Sequence, residues 1–333
     1  MVKMASEKLS LVVLKGWSDL KDKTLIEKCM EWGILKRDVM CLACAPDKCK
    51  MTLRKDSNEI DGYRWRCNNV RSKRKQKRKR CTYSKSLRTG TFFEKSKLPM
   101  WKILGFVQLW TKNVAADVIS EELDISKHTV VDWGSFCREV TFDAIMNRRT
   151  KIGGPGQKVQ IDVCKFGQRK YNRGRVVEGQ WVFGGVDEAS GEVFMTIMEN
   201  RTSETLIPMI KKFIKPGTTI VSDFFKVSGC LKEEDFEHLK VSHKIDFVDT
   251  NSGANTSKIE ALWSAVRSSL PRYNRKKSFA GHLSKYLFLK SCKLRKVNCL
   301  MEFCKEAGDL YNGCNNKETT TDEFEEIDDF DMI

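Results

Sequence analysis

The stretch KVQIDVCKF, residues 158–166, decides the fold of this 333-residue chain. Its residues alternate toward the two-residue period of a strand, with Asp162 in the middle. The segment GQWVFGGVDEASGEVFMTIM (179–198) predicts two more strands joined by a turn at Glu188–Gly191. The sequence therefore predicts three strands in succession, the first of which bears a carboxylate.

Further elements follow toward the C-terminus. Residues 203–214 predict a helix that ends at Pro216–Gly217. TTIVSD (218–223) predicts a buried strand ending in Asp223, and a short strand is predicted near His238–Val241. These segments add a helix and two strands to the first three strands.

A last helix is predicted to begin around Ala254–Ser257, with Glu260 beside an apolar stripe made of Ile259, Leu262, Trp263 and Val266. Three strands, a helix, two strands and a helix is the element order of an RNase H-like domain. Such a domain is an α/β fold in which helices flank a mixed sheet. We place it at residues 156–295.

Three acids of this domain, Asp162, Asp223 and Glu260, can converge at one edge of the sheet. Close carboxylates repel one another unless cations are present, and oxygen ligands suit Mg²⁺ or Mn²⁺. Two such ions about 3.5–4 Å apart can activate an attacking oxygen and stabilise a leaving one in phosphodiester chemistry. Each acid also has an ordinary interpretation, as an edge-strand surface residue, a turn residue or a solvated helix position.

Cysteines mark the N-terminal third of the chain. The chain has 13 cysteines and no secretory signal, so we expect reduced thiols or metal ligands rather than a disulfide framework. Cys41 and Cys44 form a CxxC pair, and Cys67 and Cys81 follow after gaps of 22 and 13 residues. Four thiolates suit tetrahedral Zn²⁺, and Cys49 is a competing ligand.

The segment between the cysteine pairs favours a zinc ribbon. MTLRKDSNEIDGYRWRC predicts two short strands around a polar turn at Ser57–Gly62. We place this structural zinc module at residues 39–97, after an N-terminal helical segment at residues 1–38. The alternative is a set of cysteines without a metal.

Charge points to a polyanionic partner. The chain carries 60 Lys and Arg against 44 Asp and Glu, a net charge of +16. The tail from Glu318 to Asp331 holds eight acids and no base, so the residues before it carry +24. Residues 71–80, RSKRKQKRKR, hold eight basic residues within the cysteine module. This run is either a solvated segment or a nucleic-acid contact, with candidates Arg74, Lys75, Arg78, Lys79 and Arg80.

Residues 98–150 are predicted to be helical and to include a helix-turn-helix. A first helix carries Val118 and Ile119, and a turn follows around Leu123–Ile125. Ser126 is a suitable N-cap for a short second helix that bears Val130, Trp133 and Phe136–Cys137. That second helix could enter a major groove, with Lys127 and His128 near its start. An ordinary helical hairpin is the alternative.

The remaining segments complete the domain prediction. Residues 296–316 are predicted to be helical, and residues 317–333 to form a disordered acidic tail. No apolar run approaches the ~20 residues of a membrane span. We expect a soluble protein that is not secreted and has no membrane partner, in the nucleus of a eukaryote or otherwise in the cytoplasm.

Three blocks resemble a known family closely: QIDVCKFGQRKYNRGRVVEGQWVFGGV (160–186), TTIVSDFFK (218–226) and FVDTNSGANTSKIEALWSAVRSSLPR (247–272). They are similar to the transposases of the Merlin superfamily of DNA transposons and to their bacterial insertion-sequence relatives. The resemblance covers about residues 40–290 and includes the cysteine pattern and RTGTFFEKSKL (88–98).

The resemblance implies a DDE transposase whose triad maps to Asp162, Asp223 and Glu260. It implies two divalent cations, cut-and-paste transposition on double-stranded DNA at terminal inverted repeats, and at least a dimer. A basic residue at the position of Arg267, seven residues after Glu260, faces DNA in related enzymes. The basic hairpin Lys165–Arg175 is a second candidate DNA contact, through Lys165, Arg169, Lys170, Arg173 and Arg175.

Three features depart from the family pattern. Val163 and Cys164 stand where a second acid usually follows the first Asp, Asn255 aligns with a His, and Ser228 replaces an aromatic residue. None of them removes a triad acid. The alternatives to an active transposase are a domesticated or decayed copy that binds DNA without chemistry, and an RNase H-like nuclease that acts on RNA or hybrids.

Overall fold

The structure is a computed structural model that describes residues 9–20, 22–44, 49–71, 79–148, 150–166, 179–223, 231, 234–241, 255–271 and 278–312. It divides into two compact units, one made of residues up to Val140 together with those from Val297 onward, the other of Thr141–Lys296. Over these described ranges, no helix has both the length and the apolar character that crossing a bilayer requires.

Two helices and a small sheet begin the first unit. Helices α1 (Leu11–Asp19) and α2 (Thr24–Glu31) precede strands β1 (Thr52–Lys55) and β2 (Tyr63–Arg66). Strands β3 (Val70–Arg71) and β4 (Lys79–Arg80), of two residues each, pair antiparallel, and β5 (Ser84–Ser86) follows. Strands β1, β2 and β5 pair antiparallel in that order, so the two strands expected around residues 57–62 are present.

Helices complete the first unit: α3 (Met100–Thr111), α4 (Ala116–Leu123), α5 (Lys127–Asn147) and α9 (Cys299–Asn312). Helix α5 passes from one unit into the other at Val140. The ring of Phe303 on α9 lies 5.5 Å from that of Phe92 and 6.4 Å from that of Trp110. The C-terminal helix is therefore part of the core of the N-terminal unit.

Helices α4 and α5, joined by a short turn, occupy the segment predicted to be a helix-turn-helix, and two details of that prediction are corrected. Ser126 caps α5 as expected, because its Oγ accepts the N–H of Thr129 at 3.1 Å. The second helix is not short, since α5 runs for 21 residues. Phe136 is not part of the buried face but is 45% exposed, because the buried stripe follows Val130, Trp133 and Cys137 and leaves Phe136 at its border.

The second unit is an α/β domain. Its strands are β6 (Lys158–Phe166), β7 (Gln180–Asp187), β8 (Val193–Met198), β9 (Thr219–Ser222) and β10 (Glu237–Lys240). The sheet order is β10-β9-β6-β7-β8, with β6, β7 and β8 antiparallel and β9 and β10 parallel to β6. Its helices are α6 (Ser203–Phe213), α7 (Ser257–Ser269) and α8 (Phe279–Arg295). The prediction of a mixed sheet with flanking helices is confirmed.

Strand β6 is buried on both faces, and its alternation assigns each side chain to one helix layer. Val159, Ile161 and Val163 belong to the core cluster that contains α6 residues. Cys164 and Phe166 belong to the cluster that contains residues of α7 and α8. Asp162 is two residues before Cys164 on the same strand, so its side chain is also on the α7 face.

Candidate active site and metal cluster

Asp162 lies on β6, and Asp223 directly follows the neighbouring parallel strand β9. The last registered pair of these strands is Gln160 with Val221, and each acid comes two residues after its member of that pair. Adjacent strands are about 4.8 Å apart, so the two carboxylates are close. Burial and the negative charge of Asp223 raise the pKa of Asp162, against the opposing effect of its hydrogen bonds and of the Arg201 charge.

Glu260 joins Asp162 at one open cleft. Both acids line a cavity of about 380 Å³, whose other lining residues are Val163, Cys164, Lys165, Trp181, Trp263 and Arg267. Glu260 lies in the first turn of α7, where Thr256 donates its hydroxyl to Oε1 at 3.0 Å. Asp162 of β6 and Glu260 of α7 thus share one cleft, and Asp223, which follows β9, is close enough to Asp162 for its charge to affect the pKa of that acid.

Gln160 holds the start of α7 against β6. Its Oε1 accepts the backbone N–H of Ile259 at 3.0 Å, and its Nε2 donates to Oε1 of Glu188 at 2.8 Å and to Oδ1 of Asn255 at 3.4 Å. The first N–H groups of a helix have no partner within the helix, so this buried amide satisfies one of them. The contact sets the position of Glu260, the next residue along α7.

Trp263 connects the same helix to the first acid. Its indole Nε1 donates to Oδ2 of Asp162 at 2.8 Å, while Oδ1 accepts the N–H of Val163. The ring can approach the sheet because residue 184 is glycine: a Cβ there would lie 2.6 Å from Trp263 Cη2. Two fixed donors, the Trp263 indole and the Val163 N–H, therefore set the orientation of the Asp162 carboxylate.

Cations surround the acids. The Lys165 ammonium lies 5.1 Å and the Arg201 guanidinium 5.0 Å from the centre of the Trp181 ring. Arg267 Nη2 is 2.8 Å from Cys164 Sγ, and its guanidinium is 5.8 Å from the Phe166 ring centre. Positive groups beside a cluster of acids provide sites for the phosphates of a polyanion.

The positions that depart from the family pattern have structural partners. Val163 is buried in the sheet core, and Cys164 contacts Arg267 rather than adding a carboxylate to the cleft. Burial raises the pKa of the Cys164 thiol, although Arg267 opposes that shift. Asn255 accepts the N–H and the hydroxyl of Ser257, the first residue of α7, at 3.3 and 2.7 Å. Ser228 is outside the described residues.

Part of the predicted DNA-binding set is described. Lys165 and Arg267 line the cleft, and Lys127 and His128 are exposed in the first turn of α5. Lys79 and Arg80 lie on β4. The other candidates are outside the described residues: Arg74, Lys75, Arg78, Arg169, Lys170, Arg173 and Arg175. Sequence reasoning missed Gln160, Trp181 and Arg201.

Four cysteine thiols of the first unit converge. The sulfur atoms of Cys41, Cys44, Cys67 and Cys81 all lie within 4.8 Å of one another. Cys41 and Cys81 are 3.8 Å apart and Cys44 and Cys67 are 3.7 Å apart. A tetrahedral Zn²⁺ with bonds of about 2.3 Å separates its sulfur ligands by about 3.8 Å. The donor set and its spacing fit zinc.

Electrostatics within this cluster also favour a cation. Burial raises the pKa of Cys44, but hydrogen bonds from Asn69 and the neighbouring thiols outweigh it and lower the pKa to about 6. Burial raises the pKa of Cys67 to about 12. The Cys44 thiolate therefore forms readily, whereas a positive ion would be needed to offset the charge of the Cys67 thiolate. Cys49 is not in the group but accepts a hydrogen bond from Asn69 at 2.8 Å.

Comparison with known proteins identifies the domain. The model of the ISXO2-like transposase domain matches residues 156–288. An uncharacterized transposase-like protein of Haemophilus influenzae is 27% identical over 109 residues, which is 32% of this chain and 82% of that protein. The male abnormal protein mab-31 of Caenorhabditis elegans is 28% identical over 140 residues, or 39% of this chain and 31% of that protein. The resemblance to insertion-sequence transposases is confirmed.

Solved structures show only remote likeness. The catalytic core domain of HTLV-2 integrase in complex with magnesium (dimeric form) is 16% identical at a TM-score of 0.27, covering 40% of this chain and 86% of that one. The simian T-cell lymphotropic virus intasome with PP2A regulatory subunit B56 gamma gives 13% identity and 0.26, over 54% of this chain and 66% of that one. TM-scores this low carry no conclusion about fold or ligands.

Proposed function

We propose that this chain, whose residues 156–288 form an insertion-sequence-like DDE transposase domain, cleaves DNA strands and transfers them at the terminal inverted repeats of a mobile element. The observation that carries the proposal is the convergence of three acids from different elements. Asp162 and Asp223 each come two residues after the last registered pair of β6 and β9, and Glu260 shares a cleft with Asp162. The topology of the sheet, with an antiparallel meander followed by two parallel strands, supports an RNase H-like fold.

Divalent metal ions suit the three acids. Carboxylate oxygens are the ligands that Mg²⁺ and Mn²⁺ prefer, and the raised pKa of Asp162 reflects its burial and then the charge of Asp223, which a cation would offset. We propose that Asp162, Asp223 and Glu260 hold two such ions, which would supply activation of the attacking oxygen and stabilisation of the leaving oxygen. Lys165, Arg201 and Arg267 would hold the phosphates on either side of the reacting one.

The reaction has two steps. Water adds to a phosphorus atom at the transposon end, the P–O3′ bond breaks, and the 3′ oxygen leaves as a hydroxyl. That hydroxyl then attacks a phosphorus atom of the target strand, whose own 3′ oxygen leaves in turn. The first step replaces a phosphoester bond with a bond to the water oxygen, and the second replaces one phosphoester bond with another. Neither step changes an oxidation state, so no oxidant or cofactor other than the metal is required.

The first unit would supply recognition. We propose that Cys41, Cys44, Cys67 and Cys81 hold a structural Zn²⁺, and that α4 and α5 act as a helix-turn-helix whose Lys127 and His128 contact duplex DNA. Two transposon ends must be paired for transfer, so we expect at least a dimer. We propose a nuclear location in a eukaryote and otherwise a cytoplasmic one.

A nicking assay tests the proposal. The full chain is incubated with a supercoiled plasmid that carries the sequences flanking its own gene, with Mg²⁺, Mn²⁺ or chelator. We expect metal-dependent nicking that Asp162→Asn and Glu260→Gln abolish without loss of DNA binding, whereas the exposed control Glu192→Gln retains it. DNA binding without any cleavage would favour the non-catalytic alternative, and cleavage of RNA–DNA hybrids without repeats would favour a nuclease.

A further inference from the structure

A second cavity, of about 710 Å³, lies in the first unit, where the strand pair β1–β2 faces the start of α2. Its lining, among the residues that the structure describes, is basic and contains no carboxylate: Lys23, Leu53, Arg54, Lys55, Tyr63, Arg66, Asn68 and Arg80. We call these residues the basic groove. Only Arg80 of this set belongs to the basic run 71–80, so the charge pattern of the sequence did not predict most of the groove residues.

The lining cations come from separate parts of the chain. Lys23 precedes α2, Arg54 and Lys55 end β1, Arg66 ends β2 and Arg80 ends β4. Like charges gathered in one cavity repel one another, and this cost is recovered when a polyanion binds. Arg54, Lys55 and Arg66 are exposed, so their charged ends are accessible.

Fixed contacts orient two of the side chains. Arg66 donates to Oδ2 of Asp56 at 2.8 Å, while its side chain remains half exposed. The Lys23 ammonium lies 5.8 Å from the centre of the Tyr63 ring. A guanidinium held by one carboxylate still has N–H groups that can donate to a phosphate oxygen. The groove is therefore partly preorganised for phosphate.

The cysteine cluster supports the same surface. Arg66 and Asn68 flank Cys67, and Arg80 precedes Cys81. Asn69, the next residue after Asn68, donates to the sulfur atoms of Cys44 and Cys49. Any ion that draws the four sulfur atoms together would also fix the backbone that carries Arg66 and Arg80.

We propose that the basic groove binds the phosphate backbone of duplex DNA, without reading its sequence. The choice of DNA among polyanions rests on the proposed function, and the groove itself rests on its own lining. The described lining residues include five cations and no acid, which favours contact with several phosphates rather than with a single ionised group. An acidic polypeptide is the competing partner, which the experiment below separates.

Fluorescence anisotropy of the full chain with a labelled 30-base-pair duplex tests the groove, in chelator-free buffer without Mg²⁺ or Mn²⁺ so that no cleavage can occur. The double variant Arg54→Gln/Lys55→Gln is compared with Lys95→Gln/Lys97→Gln, which removes the same charge from exposed residues of the same unit outside the groove. We expect the groove variant to raise Kd about 10-fold and the control to change it less than about 2-fold.

Salt dependence gives a second readout. Each lost phosphate contact reduces the magnitude of the slope of log K against log salt by about 0.9. The groove variant, which loses two cations, should therefore reduce that magnitude by about 1.8, and equally on unrelated duplex sequences. Equal effects of the two double variants, or a poly-glutamate competitor as effective as DNA, would overturn the inference. Binding is measured without a catalytic metal, so an absence of nicking would not contradict the binding result. Likewise, a groove variant that binds DNA normally would not contradict the nicking result.

Discussion

The indole Nε1 of Trp263 donates a 2.8 Å hydrogen bond to Oδ2 of Asp162, from one turn beyond Glu260 on the same helix. Helix α7 therefore carries one acid of the cleft and orients another. Hydrogen bonds to a charged group contribute about 1.5–3 kcal/mol, so this contact affects both the stability and the geometry of the cleft.

Trp263→Phe removes the indole donor and keeps an aromatic ring. We expect nicking to slow about 10-fold and the Mn²⁺ concentration for half-maximal rate to rise, because one Asp162 oxygen loses its fixed orientation. Rates at several Mn²⁺ concentrations check this, with Trp101→Phe in the other unit as the matched control. Unchanged Mn²⁺ dependence in Trp263→Phe would contradict a positioning role.

Gln160→Leu leaves the N–H of Ile259 and the buried strand–helix junction without the amide. We expect the free energy of unfolding to fall by about 2 kcal/mol, because a buried donor loses its partner. Urea denaturation measures this loss, and Gln180→Leu, at an exposed position of β7, should change stability by less than about 0.5 kcal/mol. Because Gln160 positions Glu260, calorimetric titration of the folded variant with Mn²⁺ should show weaker binding.

Single cysteine substitutions test whether Cys81 or the competing ligand Cys49 completes the proposed zinc site. Cys81→Ser removes one of four converging thiols, so we expect bound zinc to fall well below one ion per chain and the melting temperature to drop. Cys49→Ser is the matched control and should retain the ion. Elemental analysis of both purified variants decides between them: zinc retained in Cys81→Ser and lost in Cys49→Ser would assign the fourth position to Cys49.

His238 predicts a pH dependence of stability in the second unit. Burial and the positive charge of Lys240 lower the pKa of His238 below 6.5, and Ser222 lies 2.8 Å from its Nε2. The unfolded chain therefore binds the proton more readily, so this residue's contribution to stability is lost as pH falls through about 6.5 toward the folded pKa.

Denaturation of wild type and His238→Gln between about pH 8 and pH 5 tests this sign. The stability of wild type relative to the variant should decline toward low pH and then level off. All other titrating groups are common to the two proteins and cancel in the difference. A constant difference over this range would contradict the lowered pKa.

Local patterns in the sequence predicted much of the fold because they report local geometry. The alternation in residues 158–166 matches β6 in full, and the turn between β7 and β8 falls where Glu188–Gly191 predicted it. The helix that carries Glu260 was also predicted from its apolar spacing. Phe136 was assigned to the wrong side of α5 because spacing alone does not define the width of a buried stripe.

The sequence by itself determined the candidate site residues: three acids, four spaced cysteines and a surplus of positive charge. Only the tertiary structure decided how they are held. The contacts of Gln160 with Ile259, of Trp263 with Asp162 and of Arg201 with Trp181 join residues far apart in the chain. The basic groove likewise gathers residues from α2 to β4. Such contacts depend on strand register and helix packing, which no local periodicity encodes.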